Sequence, residues 1–144
     1  MIKIDNEFIV TATTTEVWEV ITQLDRYGEW NSFVSECKSS LIVGEPIIMR
    51  VHLFPFPIIQ KETIFEYTSG IILNYGVKLP FNILTSSRKH TVKPLEDGNV
   101  HYYSQFRLSG LLSPIVELLM SNRLNQGFSL MALEMQAEIL RRKN

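Results

Sequence analysis

Apolar residues recur along this chain in two periods, and each change of period marks a new element. Ile2, Ile4, Phe8 and Val10 share one face of an alternating stretch that runs to Ala12, which is a half-buried strand with an irregularity expected near Asn6. The spacing then lengthens. Thr13 followed three residues later by Glu16 is a capping box, each side chain satisfying a backbone donor at a helix start, and Val17, Val20, Ile21 and Leu24 follow at helical spacing. This predicts a helix over about 14–24, and Asp25 can cap a further short turn through Tyr27.

Alternation returns in six segments, near 34–43, 47–53, 59–67, 71–77, 84–92 and 100–108. The residues between them carry turn chemistry: Gly44 and Pro46, Gly70, and Asp97-Gly98. No helical pattern separates consecutive strands, so the sheet is expected to be an antiparallel meander. Pro55 and Pro57 cannot donate to a ladder, which makes Phe54 to Pro57 an edge or a loop. From Ser113 or Pro114 to Arg142 the period is helical again, with Val116, Met120, Leu124, Phe128, Met131, Met135 and Ile139 about a turn apart. Only the sheet is large enough to cover that stripe.

At 144 residues and 16.6 kDa the chain fits one domain, 1–144, able to bury a substantial core. A hydrophobic fraction of 45% with 20% charged residues is that of a folded protein, not of a disordered one. The net charge of −1 and scattered basic residues offer no field for a phosphate backbone, so nucleic acid is an unfavourable partner. The one basic run, Arg141 to Lys143, closes the last helix, where cations complement the carboxyl end of its dipole. Cys37 is alone and has no local base, hence an ordinary structural thiol. The amino terminus has no signal-like apolar run, and the most apolar stretch, 46–59, is broken by Arg50, His52 and prolines, short of the roughly 20 apolar residues of a membrane helix. A cytoplasmic location without a transmembrane segment is the default expectation.

The order of elements and three local stretches, "TATTTEVWEVITQLDRYGEWNSFV", "LIVGEPI" and "GFSLMALEMQAE", resemble the START-like superfamily of polyketide cyclases and lipid-transport-like proteins. The resemblance spans essentially the whole chain. It implies an α+β helix-grip fold: a curved antiparallel seven-stranded sheet wrapped around a long carboxyl-terminal helix, with two short helices after the first strand. It also implies a cavity between sheet and helix. One scaffold of this kind carries many functions, so the resemblance bears on fold more than on activity.

Alternation indicates what would face that cavity. Ser86, Arg88 and His90 share a face with Val92, as do Tyr102, Ser104, Phe106 and Leu108 on the next strand, and Met49 with Ile47 and Val51. Adding Phe65, Phe128 and Met131 gives a mainly apolar lining with a few polar points, suited to a small hydrophobic or amphipathic ligand. The opposing reading is that these large side chains simply fill the space. Trp30 and Phe33 are unusual on a connection, and are expected at the cavity mouth and wall. Arg88 needs a counter-ion or a route to water. His52, His90 and His101 do not share a face, so no metal site is expected, and no cofactor-binding motif is present.

Three functions are compatible with these features. The first is binding, transport or sensing of a lipid, isoprenoid quinone or aromatic polyketide. The second is a cyclase or dehydratase in which His90 and Tyr102, with Arg88, act on a bound carbonyl compound. The third is a protein-interaction module with a vestigial cavity. A weak homodimer is compatible with all three.

Overall fold

Each change of period becomes a change of element in the computed structural model, which describes residues 1–144. Strand β1 (Ile2–Thr11) leads into helix α1 (Thr14–Thr22) and a 3-10 helix (Leu24–Glu29). Strands β2 (Val34–Ser39), β3 (Pro46–Val51), β4 (Ile58–Thr68), β5 (Ile72–Lys78), β6 (Thr85–Pro94) and β7 (Asn99–Ser109) follow, and helix α2 (Ser113–Lys143) closes the chain. The capping box forms: the Glu16 amide donates to Thr13 Oγ1 at 3.1 Å and the Thr13 amide to Glu16 Oε1 at 2.8 Å.

The strands make one antiparallel sheet in the order β1-β7-β6-β5-β4-β3-β2. It curls as a half-barrel around α2, the START-like, helix-grip arrangement. β1 pairs with β7 in unbroken register from Ile2 opposite Leu108 to Thr11 opposite Asn99, so the irregularity expected near Asn6 is absent. Register shifts fall instead between Val34 and Glu36 and between Ile64 and Glu66, where an unpaired residue bends a strand. Phe54 to Pro57 lie in the loop between β3 and β4.

Leu124, Phe128, Met131, Met135 and Ile139 of α2 are buried against the concave face. The basic run at the end of α2 does more than face a dipole. Glu138, buried at 4% exposure, accepts from Arg141 Nη2 at 2.6 Å and Arg142 Nε at 2.8 Å, and Arg142 Nη1 also donates to Gln23 Oε1 at 2.7 Å. This fixes the helix end to the segment that follows α1.

Candidate ligand cavity

Between the concave face and α2 lies a cavity of about 380 Å³, with 18 hydrophobic residues among the 22 that line it. Its polar side chains are Gln60 and Glu62 of β4 and Ser86 and Arg88 of β6, with the Tyr75 hydroxyl of β5 beside them. β6 alternates without interruption, so Ser86, Arg88, His90 and Val92 are all buried.

Arg88 is 4% exposed and does not reach bulk water. Its guanidinium carbon lies 4.1 Å from the centre of the Phe128 ring, Nη2 is 3.4 Å from Met131 Sδ, and Nε is 3.5 Å from His90 Nε2. Nη1 is buried with no hydrogen-bond partner. Aromatic and thioether contacts stabilise such a cation only in part, because a guanidinium has five donors to satisfy.

His90 sits behind Arg88. Since Arg88 Nε can only donate, His90 Nε2 accepts, and Nδ1 carries the proton and donates to the Tyr102 hydroxyl at 2.6 Å. The Tyr75 hydroxyl also reaches Nε2, at 3.1 Å. Burial, then the Arg88 charge, holds the imidazole well below its ordinary pKa, so it is neutral. Burial raises the Tyr75 and Tyr102 hydroxyls, keeping them protonated. Glu62 is the other titratable group on the wall. Burial pushes it up to about 6, against the lowering effects of a Gln60 hydrogen bond and of Arg88.

Of the residues expected to face a ligand, Phe33, Met49, Arg88, Phe106, Phe128 and Met131 line the cavity. His90, Tyr102 and Ser104 point to the same side of the sheet but are at most 1% exposed and do not reach the cavity. Alternation gives a side chain's direction, not its depth: His90 contacts Arg88 and Tyr75, which do line the cavity, and Tyr102 contacts His90 in turn. Trp30 is not at the mouth: it packs edge-on against Tyr27, with ring centres 5.1 Å apart, and is 8% exposed. Phe65 is absent from the wall as well. It stands at the register shift in β4, with Lys78 Nζ 4.9 Å from its ring centre.

Sequence reasoning missed Gln60, Glu62 and Tyr75. Their signal was present: Gln60 and Glu62 are in phase with Ile58 and Ile64, and Tyr75 with Leu73 and Val77. Phase is visible only once the bulge at Phe65 is known to follow Ile64.

The family model described as polyketide cyclase / dehydrase and lipid transport matches residues 1–138. The chain belongs to this family. No curated protein matches its sequence. Its fold matches a START superfamily protein from Mycobacterium smegmatis at a TM-score of 0.74 and 9% identity, over 96% of this chain and 97% of that one. The Zhui aromatase/cyclase from Streptomyces sp. R1128 matches at 0.76 and 11% identity, over 99% and 96%. Norcoclaurine synthase of Thalictrum flavum matches at 0.72 and 15% identity, over 99% and 96%. At these identities the likeness is one of fold. Family and fold together make this a START-type ligand-binding scaffold, and no helix is long and apolar enough to cross a membrane.

Proposed function

We propose that the protein binds a small amphipathic molecule, an apolar body bearing a carboxylate or enolate, with the charged group on Arg88. The observation that carries this reading is the buried Arg88 Nη1, which has no hydrogen-bond partner in a wall that is otherwise almost wholly apolar. A bound anion supplies that partner with a charge-assisted hydrogen bond. Met49, Phe106 and Phe128 hold the apolar body. The volume lies within the range of sites that take small organic molecules, of order 300–1,000 Å³.

Titration of the wild type and Arg88→Met with a fatty acid and the corresponding alcohol tests the reading. Methionine keeps much of the stem and removes the charge, so the acid is expected to lose about 1.5–3 kcal/mol of affinity and the alcohol almost none. Equal losses for both ligands would refute a charge-specific role.

Glu62 favours a second reading, a cyclase- or dehydratase-type activity on a carbonyl compound. A carboxyl with a pKa of about 6 on the same wall as a cation is suited to take up a proton while Arg88 stabilises the resulting enolate. His90 and Tyr102, the pair first suggested by the sequence, then act only by orienting Arg88. Incorporation of deuterium from solvent next to the carbonyl of a bound simple ketone, faster than in buffer alone and slowed to the buffer rate in Glu62→Gln, is expected if this reading holds. A wild type no faster than buffer would leave binding alone.

A further inference from the structure

Three connections meet at the end of the sheet where α2 begins: 52–57 between β3 and β4, 79–84 between β5 and β6, and 110–112 between β7 and α2. The backbone joins the second and third, with the Leu111 amide donating to Asn82 O at 2.9 Å and the Leu112 amide to Ile83 O at 3.0 Å. Arg123 of α2 holds the first: its Nη1 donates to Leu53 O at 3.4 Å and its guanidinium carbon lies 5.6 Å from the centre of the Phe54 ring. Phe54, Leu79, Leu84, Val116 and Met120 from this region line the cavity, Leu79 exposed and the other four half-buried, whereas Tyr75, Arg88 and Met131, which also line it, are buried. The cavity therefore opens here.

Around this mouth these segments and the first turns of α2 hold large apolar side chains out to water. Phe81 is 88% exposed, Leu118 86%, Leu111 71% and Phe56 62%. Phe81 and Asn82 have φ of 59° and 54°, in the left-handed region that residues with a β-carbon rarely adopt. A phenylalanine held in that conformation, with its ring in solvent, does not serve the core. Segments 53–59, 79–87 and 108–116 contain no Asp, Glu, Lys, Arg or His, in a chain that is 20% charged. Charge returns at the margin as Lys78 and Arg123, while the neighbouring Glu117 is paired with the amino terminus at 3.3 Å.

We propose that this face docks on a lipid membrane, placing Phe56, Phe81, Leu111 and Leu118 in the interfacial layer with Lys78 and Arg123 against anionic headgroups. Protein interfaces carry about one hydrogen bond per 100–200 Å² and favour Tyr, Trp, Phe, Met and Arg. Of these the three uncharged segments hold only Phe, beside Leu, Ile and Pro, and with the start of α2 they present separate apolar tips with cations at the edge, the composition that suits a bilayer surface. Docked in this way, the cavity opens directly onto the apolar phase, and a hydrophobic molecule can pass between the two without crossing water. The surface does not depend on which molecule the cavity takes or on Arg88.

Cosedimentation of the full chain with phosphatidylcholine vesicles, with and without phosphatidylglycerol, tests the proposal. The wild type is expected to bind both and to prefer the anionic ones. Combining Phe56→Ser, Phe81→Ser and Leu118→Ser is expected to weaken binding to both at least about tenfold, at an unchanged melting temperature. Phe81→Ser and Leu118→Ser alone give smaller losses and serve if the triple variant fails to fold. Lys78→Gln is expected to reduce the anionic preference while binding to the neutral vesicles persists, and Arg88→Met to leave vesicle binding intact, which separates this proposal from the cavity reading. A wild type that binds neither vesicle, or serine variants that bind as it does, would overturn it. So would a dimer in sedimentation velocity that the serine variants dissolve without any vesicle binding, since the face then covers a second copy.

Discussion

The Phe33 ring occupies the space that a side chain on Gly127 would need: a β-carbon there would lie 2.2 Å from Phe33 Cε1. The same ring meets Phe128 edge-on, with centres 5.2 Å apart, and forms part of the cavity wall. A glycine inside a helix costs about 1 kcal/mol relative to alanine, so its presence within α2 calls for a packing reason, and Phe33 supplies it.

Gly127→Ala is therefore expected to destabilise the protein, because the overpacking penalty of about 1–3 kcal/mol exceeds the gain in helix propensity. Adding Phe33→Leu makes room and is expected to recover part of the loss. Urea denaturation of the two single variants and the double variant reads the coupling. A Gly127→Ala protein at least as stable as the wild type contradicts the close contact.

Glu62 and His90 impose opposite pH dependences. Folding raises Glu62 from 4.5 to about 6, so the native state holds the extra proton between those values and stability falls as pH rises through them, by at most about 2 kcal/mol. Folding lowers His90 below 6.5, so the unfolded state takes up the proton first and stability falls as pH drops below that value. Glu62→Gln is expected to be more stable than the wild type at pH 7.5, a difference that vanishes near pH 4.5. His90→Gln should flatten the acid side. Denaturation curves across this range check both signs.

Glu138 acts the other way. Its hydrogen bonds with Arg141, then those with Arg142, outweigh burial and hold its carboxyl at about 2. The stability it contributes is present above 4.5 and is lost as pH falls toward 2. Glu138→Gln is expected to cost about 2 kcal/mol at neutral pH and to loosen the end of α2, read as faster amide exchange in its last turns.

Burial pushes the Cys37 thiol up to about 12, the nearby Glu62 charge adding to the effect. Native protein at pH 8 is expected to resist iodoacetamide, with alkylation appearing only as the chain unfolds in urea. Rapid labelling without denaturant would show that β2 opens locally.

The sequence stretch "GEWNSF" shows how legible the site was. Both aromatics were recognisable as out of place on a connection, yet they part company: Phe33 reaches the cavity and Trp30 turns to Tyr27. No local pattern separates the two, because what seats Phe33 is Gly127 and Phe128 from the far end of the chain, while Trp30 turns back on Tyr27 three residues away. Arg88 was legible as an inward cation from the phase of β6, but whether its guanidinium escapes to water depends on how closely α2 covers it.

Sequence alone determined the elements and their order, because strand alternation, the Thr13 and Glu16 cap and the turn glycines act over a few residues. Through its resemblances it also pointed to the family. Only the tertiary structure decided which inward residues are walls and which are buried foundations. His90, Tyr102 and Ser104 share the inward face but are fully covered, while the register shift at Phe65 leaves Glu62 on the wall and Phe65 off it. Coverage depends on which side chains of other strands and of α2 pack over a residue, and a bulge on how two strands pair, so neither is written in a single segment.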